Sequence, residues 1–279
     1  MLVAVVGATG VLGRNVLPRL LERGHRVRAL VRREEQADSL RRVGVVPVLG
    51  DVFDVASLER VAQGCEAALH LATAIPKDRS DWTANDRIRR EGTRNLLAAI
   101  LKQRVTRYIQ QSITLLYGAQ GESLADERTA LQPNRVTASA ADMESMVVAS
   151  DLDWCILRGG RFYGRGTGRD EQWRQLARSG KLLLPGDGSG LVSLVHVVDM
   201  AGAVVKAVEA APARSIYNVV DDEPVSYRVL YNYVVACEGV SEPHSGGDSG
   251  LPSLGCSNAR IKAQLSWQPA HPTFRSGLI

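Results

Sequence analysis

Along the first half of the chain, short apolar runs alternate with amphipathic stretches. The runs are LVAVV (2–6), RVRALV (26–31), VVPVL (45–49) and AALHLA (67–72), and the stretches that follow them cover about 12–23, 34–42, 55–63 and 81–103. Near-continuous apolar strands separated by helical segments predict a parallel sheet covered on both faces, the doubly wound α/β class. RYIQQSI (107–113) reads as a fifth strand, 134–150 as a helix and DWCILRG (153–159) as a sixth strand. In 81–103, Ile88, Gly92, Leu96, Ala99 and Ile100 fall on one helical face, so this helix is expected to pack on the sheet. From about 164 the pattern loosens into glycine-rich stretches at 164–168 and 186–190, which predicts a smaller lobe interleaved with the last sheet elements. Residues 241–255, rich in Gly, Ser and Pro, read as a long loop.

Composition narrows the classes. With 279 residues and 45% apolar content the chain can bury a sizeable core. No apolar run approaches the roughly 20 residues of a membrane span, and MLVAVVGATG reaches glycine too early for a secretory leader, so a cytoplasmic protein with no membrane partner is expected. Cys65, Cys155, Cys237 and Cys256 are scattered with no CxxC pair or clustered His, which predicts free thiols and no metal site. The formal charge of +4 is small and the arginines are dispersed, which argues against nucleic acid as a partner.

The candidate chemistry starts at GATGVLG (7–13), between the first strand and its helix. Three glycines at this spacing allow an unusual turn, close approach of main chain to a pyrophosphate and tight helix packing, with the helix N-terminus facing the anion. Gly7, Thr9, Gly10, Val11, Leu12 and Gly13 are therefore candidate dinucleotide contacts. The second strand ends in ALVRR, where an acidic residue would favour NAD; Arg32 and Arg33 favour the 2′-phosphate of NADP, with Arg14 a possible helper. Asp51 and Val52 of GDV (50–52) are candidates to line the adenine, Asp51 being equally suited to cap a turn, and Leu71, Ala72 and Thr73 to run beside the cofactor.

Together these motifs resemble the short-chain dehydrogenase/reductase superfamily, in the extended and atypical branches that include NAD(P)-dependent epimerases and dehydratases. GDVFDVASLERVAQGCEAALHLA, EGTRNLLAA, QSITLLYG, LRGGRFYG, LVSLVHVVDM and SIYNVVDDEPVS follow that branch in order. The resemblance implies a Rossmann-like fold with a dinucleotide-binding domain over 1–163 and a mainly substrate-binding lobe over 164–279. It also implies a small-molecule substrate and a homodimer through the two long helices. Members use a serine, a tyrosine and a lysine, the last two four residues apart on one helix face, so that the cation lowers the phenol's pKa. Here Ser112 falls at the serine position, while counting from Glu144 puts Val136 at the tyrosine site and Ala140 at the lysine site. Residues 118–162 contain no tyrosine and 103–180 no lysine, so no shift of register restores the pair. Val136, Ala140, Met143 and Val147 instead form an expected packing stripe. Arg89 stands where asparagine is frequent and Gly159 where proline is usual.

Ser112 is left as the candidate to polarise a carbonyl and Tyr163 as a replacement proton donor, with Tyr117 expected to pack and His196 expected to be structural. Asp142 and Glu144 are expected in solvent, and Arg135 on the surface unless it meets an anion. The reading is an atypical oxidoreductase or epimerase/dehydratase-like enzyme acting on a carbonyl or hydroxyl by a nonstandard proton relay. The alternative is a non-redox descendant, a nucleotide-bound sensor or a pocket reused for isomerisation or elimination. Specificity is expected in loops 74–85, 118–134 and 164–190 and in the C-terminal lobe.

Overall fold

The computed structural model describes residues 1–76, 81–248 and 251–278. Residues 77–80 of the expected loop 74–85, 249–250 of the expected loop 241–255, and the final residue lie outside them. The chain forms two compact units, one of 1–113, 135–158 and 201–217, the other of 114–134, 159–200 and 218–279. The chain thus passes between units several times; the expectation was a boundary near 163 with the later lobe interleaved with the last sheet elements.

In the first unit a seven-stranded sheet is built from β1 (Leu2–Val6), β2 (Arg26–Val31), β3 (Val46–Leu49), β4 (Ala67–His70), β5 (Arg107–Ile113), β6 (Asp153–Gly159) and β7 (Ser215–Val219). Its order is β7-β6-β5-β4-β1-β2-β3, and β1 pairs in parallel with both β2 and β4. The strand order therefore reverses between β1 and β4, the place where an open α/β sheet has its ligand crevice. β1 and β4 carry no polar alternation because helices cover both faces: Val3, Val5, Ala67 and Leu69 are completely buried.

The helices of this unit begin with α1 (Val11–Glu22), α2 (Glu34–Arg41) and α3 (Val55–Ala62). The stretch expected as one helix over 81–103 is α4 (Thr83–Arg87), a π-turn (Ile88–Gly92) and α5 (Thr93–Lys102). Gly92 has a packing reason: a Cβ there would lie 2.9 Å from Val52 Cγ2. α6 (Ala138–Val148) starts later than expected, and Val136, 45% exposed, lies before it and off the buried face. The stripe that packs is Ser139, Ala140, Met143, Glu144 and Val147.

The second unit is assembled from short strand pairs, Arg161–Tyr163 parallel to Leu194–His196 and Leu191–Val192 antiparallel to Val225–Ser226. With them lie α7 (Arg169–Arg178), the start of α8 (Val197–Ala210), α9 (Tyr227–Glu238) and α10 (Ala259–Leu265). The segment expected as loop over 241–255 contributes Ser245–Gly247, which pairs with Leu184–Pro185, so main-chain hydrogen bonding orders part of it. Tyr163, Trp173, Leu194, Leu230, Val234 and Phe274 centre this unit's core.

His70 ends β4 fully buried, and neither ring nitrogen has a hydrogen-bond partner among the described residues. Burial lowers its pKa from 6.5 to about 4, so the folded ring stays neutral while the unfolded ring takes up a proton. Stability from this group is present above about pH 6.5 and is lost as pH falls toward 4, on the order of 3 kcal/mol. Urea unfolding of His70→Leu should therefore show a shallower acid loss between pH 6.5 and 4 than the parent chain. Parallel acid profiles would contradict the neutral buried ring.

Candidate functional site

The glycine turn is set by contacts too close for any side chain. Gly7 has φ +96°, and a Cβ on it would lie 2.5 Å from Ala72 N, at the end of β4. A Cβ on Gly13 would lie 2.3 Å from Gly7 O. Gly10 N donates to Gly7 O at 3.1 Å and caps α1, whose first turn has no acidic residue and no side-chain cap. The result is a helix N-terminus left open to an anion beside the strand-order reversal. Leu12 faces the core, so only its main chain is available there, while Val11 and Thr9 are half-buried. These residues fit a nucleotide diphosphate.

Arg32 and Arg33 are exposed after β2, and Glu34 beside them is paired with Arg41 at 2.8 Å. Gln36, missed in the sequence, ties the glycine turn to the loop after β2: its Oε1 accepts from Arg32 N at 3.2 Å and its Nε2 donates to Thr9 Oγ1 at 3.5 Å. Asp51 Oδ1 accepts from Phe53 N at 3.0 Å, the turn-capping alternative, and Val52 packs against Gly92. Leu71 is buried, donating its amide to Val6 O at 2.8 Å; Ala72 is half-buried and Thr73 exposed.

Ser112 is 2% exposed, and its hydroxyl donates to Glu144 Oε1 at 2.6 Å. Glu144 is held in turn by Arg158, whose Nη2 donates to Oε2 at 2.6 Å and whose Nε donates to Oε1 at 3.1 Å, each side chain 5% exposed. This corrects the expectation that Glu144 is solvated: a carboxylate at this depth is tolerated because Arg158 and Ser112 satisfy it. The single proton of Ser112 is thus engaged by Glu144. The signal available in the sequence was Arg158 itself, a charge in the apolar run of β6. Asp142, as expected, is exposed, and it meets Arg90 at 2.6 Å; Arg135 is exposed.

Tyr163 is fully buried, its hydroxyl donating to Thr273 O at 3.3 Å. Burial, reinforced by Asp221, Asp199 and Asp170, raises its pKa, so the phenol keeps its proton. Tyr117 packs as expected, with its hydroxyl on Asn218 Oδ1 at 2.8 Å. His196 stacks on His271 with ring centroids 3.7 Å apart and fills the space a Cβ on Gly164 would need. Asp199 accepts from Ala270 N, from His271 N and from the His271 ring, so the cluster of His196, Asp199 and His271 reads as a staple of main chain. Asp221, passed over in the sequence, is buried, and burial pushes its carboxyl up to about 8. Arg89 is 7% exposed and donates to Ser139 Oγ at 3.2 Å.

A strand-order reversal with a side-chain-free glycine turn beside it places the protein among the Rossmann-like dinucleotide-binding α/β proteins. The model of the NAD dependent epimerase/dehydratase family matches residues 3–219, and the chain belongs to that family. It is 34% identical to a 3-diazoavenalumate denitrifying reductase of Streptomyces sp over all of this chain and 99% of that protein. It is 28% identical to the 4-hydroxy-2-methyl-3-oxo-4-farnesyl-3,4-dihydroquinoline-1-oxide ketoreductase of Stigmatella aurantiaca, over 85% of this chain and 73% of that protein. Among solved structures, a dTDP-glucose 4,6-dehydratase of Streptomyces venezuelae with NAD and TYD bound superposes with TM-score 0.87 at 22% identity, covering 100% of this chain and 94% of that one. A UDP-glucose 4-epimerase of Thermus thermophilus with NAD gives 0.82 at 24%, covering 100% and 96%. No helix among the described residues is long and apolar enough to cross a membrane.

Removing one side of a buried ion pair strands the other, whereas removing both leaves no uncompensated charge. Arg158→Met should cost about 3–5 kcal/mol in urea unfolding, and Glu144→Met combined with Arg158→Met should recover most of that loss. Additive losses in the double variant would contradict a closed, mutually satisfied pair.

Proposed function

We propose that this chain is an NADPH-dependent reductase whose substrate takes hydride without needing a proton from the protein, with an aromatic diazo compound as the best-fitting class. One observation carries the reading: helix α6 offers no proton-handling pair. Exposed Val136 and buried Ala140 occupy the positions, Ser112 donates to Glu144, and Tyr163 is buried on Thr273 O. A carbonyl that accepts hydride becomes an alkoxide and calls for a positioned acid. When bound, the reduced nucleotide supplies hydride, and an arenediazonium that takes it becomes the arene and dinitrogen (ArN2+ + H− → ArH + N2). The name of the full-length Streptomyces relative supports the same class.

The nucleotide is assigned to the first unit. Gly7, Gly10 and Gly13, with the amides of Thr9, Val11 and Leu12, cradle its phosphates. Leu71, Ala72 and Thr73 flank it, Asp51 and Val52 face the adenine, and Arg32 and Arg33 hold the 2′-phosphate that makes NADP the preferred form. The second unit supplies substrate selectivity through 118–134 and 164–190.

The test is the chain incubated with NADPH and diazotised 3-amino-4-hydroxybenzoate. Equal amounts of NADPH consumed, dinitrogen released and 4-hydroxybenzoate formed are expected, with deuterium from 4-deuterated NADPH on the ring carbon. Arg32→Ala with Arg33→Ala should lower the rate with NADPH at least tenfold and leave the rate with NADH nearly unchanged. Turnover of ketones but not of the diazo acid would overturn the reading in favour of carbonyl reduction.

A further inference from the structure

Three arginines sit on or beside the π-turn that precedes α5, and two of them are paired at the surface. Arg87 makes a two-point ion pair with Glu91 at 2.7 and 3.0 Å, and Arg90 meets Asp142 at 2.6 Å. Arg89 is different. It is buried, and among the described residues no carboxylate lies within 4.0 Å of its guanidinium. Its hydrogen-bond partner there is the neutral Ser139 Oγ, which gives its own proton to Asp86 Oδ1 at 2.6 Å. Burial lowers the Arg89 pKa, with Asp86 opposing, but a guanidinium keeps its charge in proteins. A buried cation with one neutral partner is costly, and folded proteins keep such a group where something pairs with it. π-turns within helices are frequent at functional sites.

The location adds a second observation. Ser139 immediately precedes Ala140, the α6 position at which the resemblance calls for a lysine. The positive charge missing from α6 is present beside it, carried by the neighbouring π-turn.

We infer that Arg89 is a substrate-holding residue whose guanidinium receives an organic carboxylate of the small-molecule substrate. The planar fork matches a carboxylate, and the nucleotide's phosphates already have their place at Gly7, Gly10 and Gly13. The inference rests on the proposed reductase reading only for the identity of the bound anion as substrate. It makes Arg89 a source of strain in the free protein and of affinity in the complex.

The experiment compares the parent chain with Arg89→Met and Arg89→Lys by thermal unfolding and calorimetry. The probes are cinnamate and its methyl ester, each added to the protein alone and with NADP+. Free Arg89→Met should melt at or above the parent. Cinnamate, and not its ester, should raise the melting temperature of the parent with NADP+. Arg89→Met should bind cinnamate about 30-fold more weakly, or worse, and Arg89→Lys should fall between. A lower melting temperature of both free variants, or the same response to cinnamate in parent and Arg89→Met, including none, would overturn the inference. Failure of the parent to bind NADP+ would instead sink the reductase reading, and the comparison of free proteins would still decide the unpaired cation.

Discussion

The contact between the first βα turn and the end of β4 leaves no room for a side chain, and the rest of the site depends on it. Gly7 lies against Leu71 and Ala72, and Gly13 lies against Gly7 and Ala8, at distances a Cβ could not occupy. This brings the main chain of the turn to the place where the sheet's strand order reverses, and it aims the uncapped N-terminus of α1 at the same place. Backbone amides and a helix dipole are what such a place offers an anion, so the geometry asks for no particular side chain beyond glycine. Gln36 then fixes the distance from this turn to the arginines after β2.

Each unit closes some of its polar side chains on partners of its own. The carboxylate of α6 is closed inward on Arg158 and Ser112. In the second unit the phenol of Tyr163 donates to Thr273 O. Arg32 and Arg33 stand in solvent, and Arg89 is buried with Ser139 Oγ as its hydrogen-bond partner among the described residues.

Six strands of the sheet and most of its helices were legible because their apolar runs are long and their glycines punctuate them. The glycine cradle was legible for the same reason, since its requirement is local. The seventh strand, SIYNV, is short and sits among polar landmarks. The burial of Glu144 depends on Arg158, fourteen positions away and on another element, so no local pattern reveals it. Val136 looked like part of a stripe because helical periodicity was extended back to 134, whereas α6 starts at Ala138. Tyr163 kept its place in the motif, but the depth at which the core around Trp173 and Phe274 holds it depends on residues far along the chain.

The most direct test of the cradle is a calorimetric titration of the purified chain with NADPH. Saturable binding at one site per chain is predicted, accompanied by a rise in melting temperature as ligand binds the folded state alone. No heat of binding and no change in melting temperature with either NADPH or NADH would contradict the central claim.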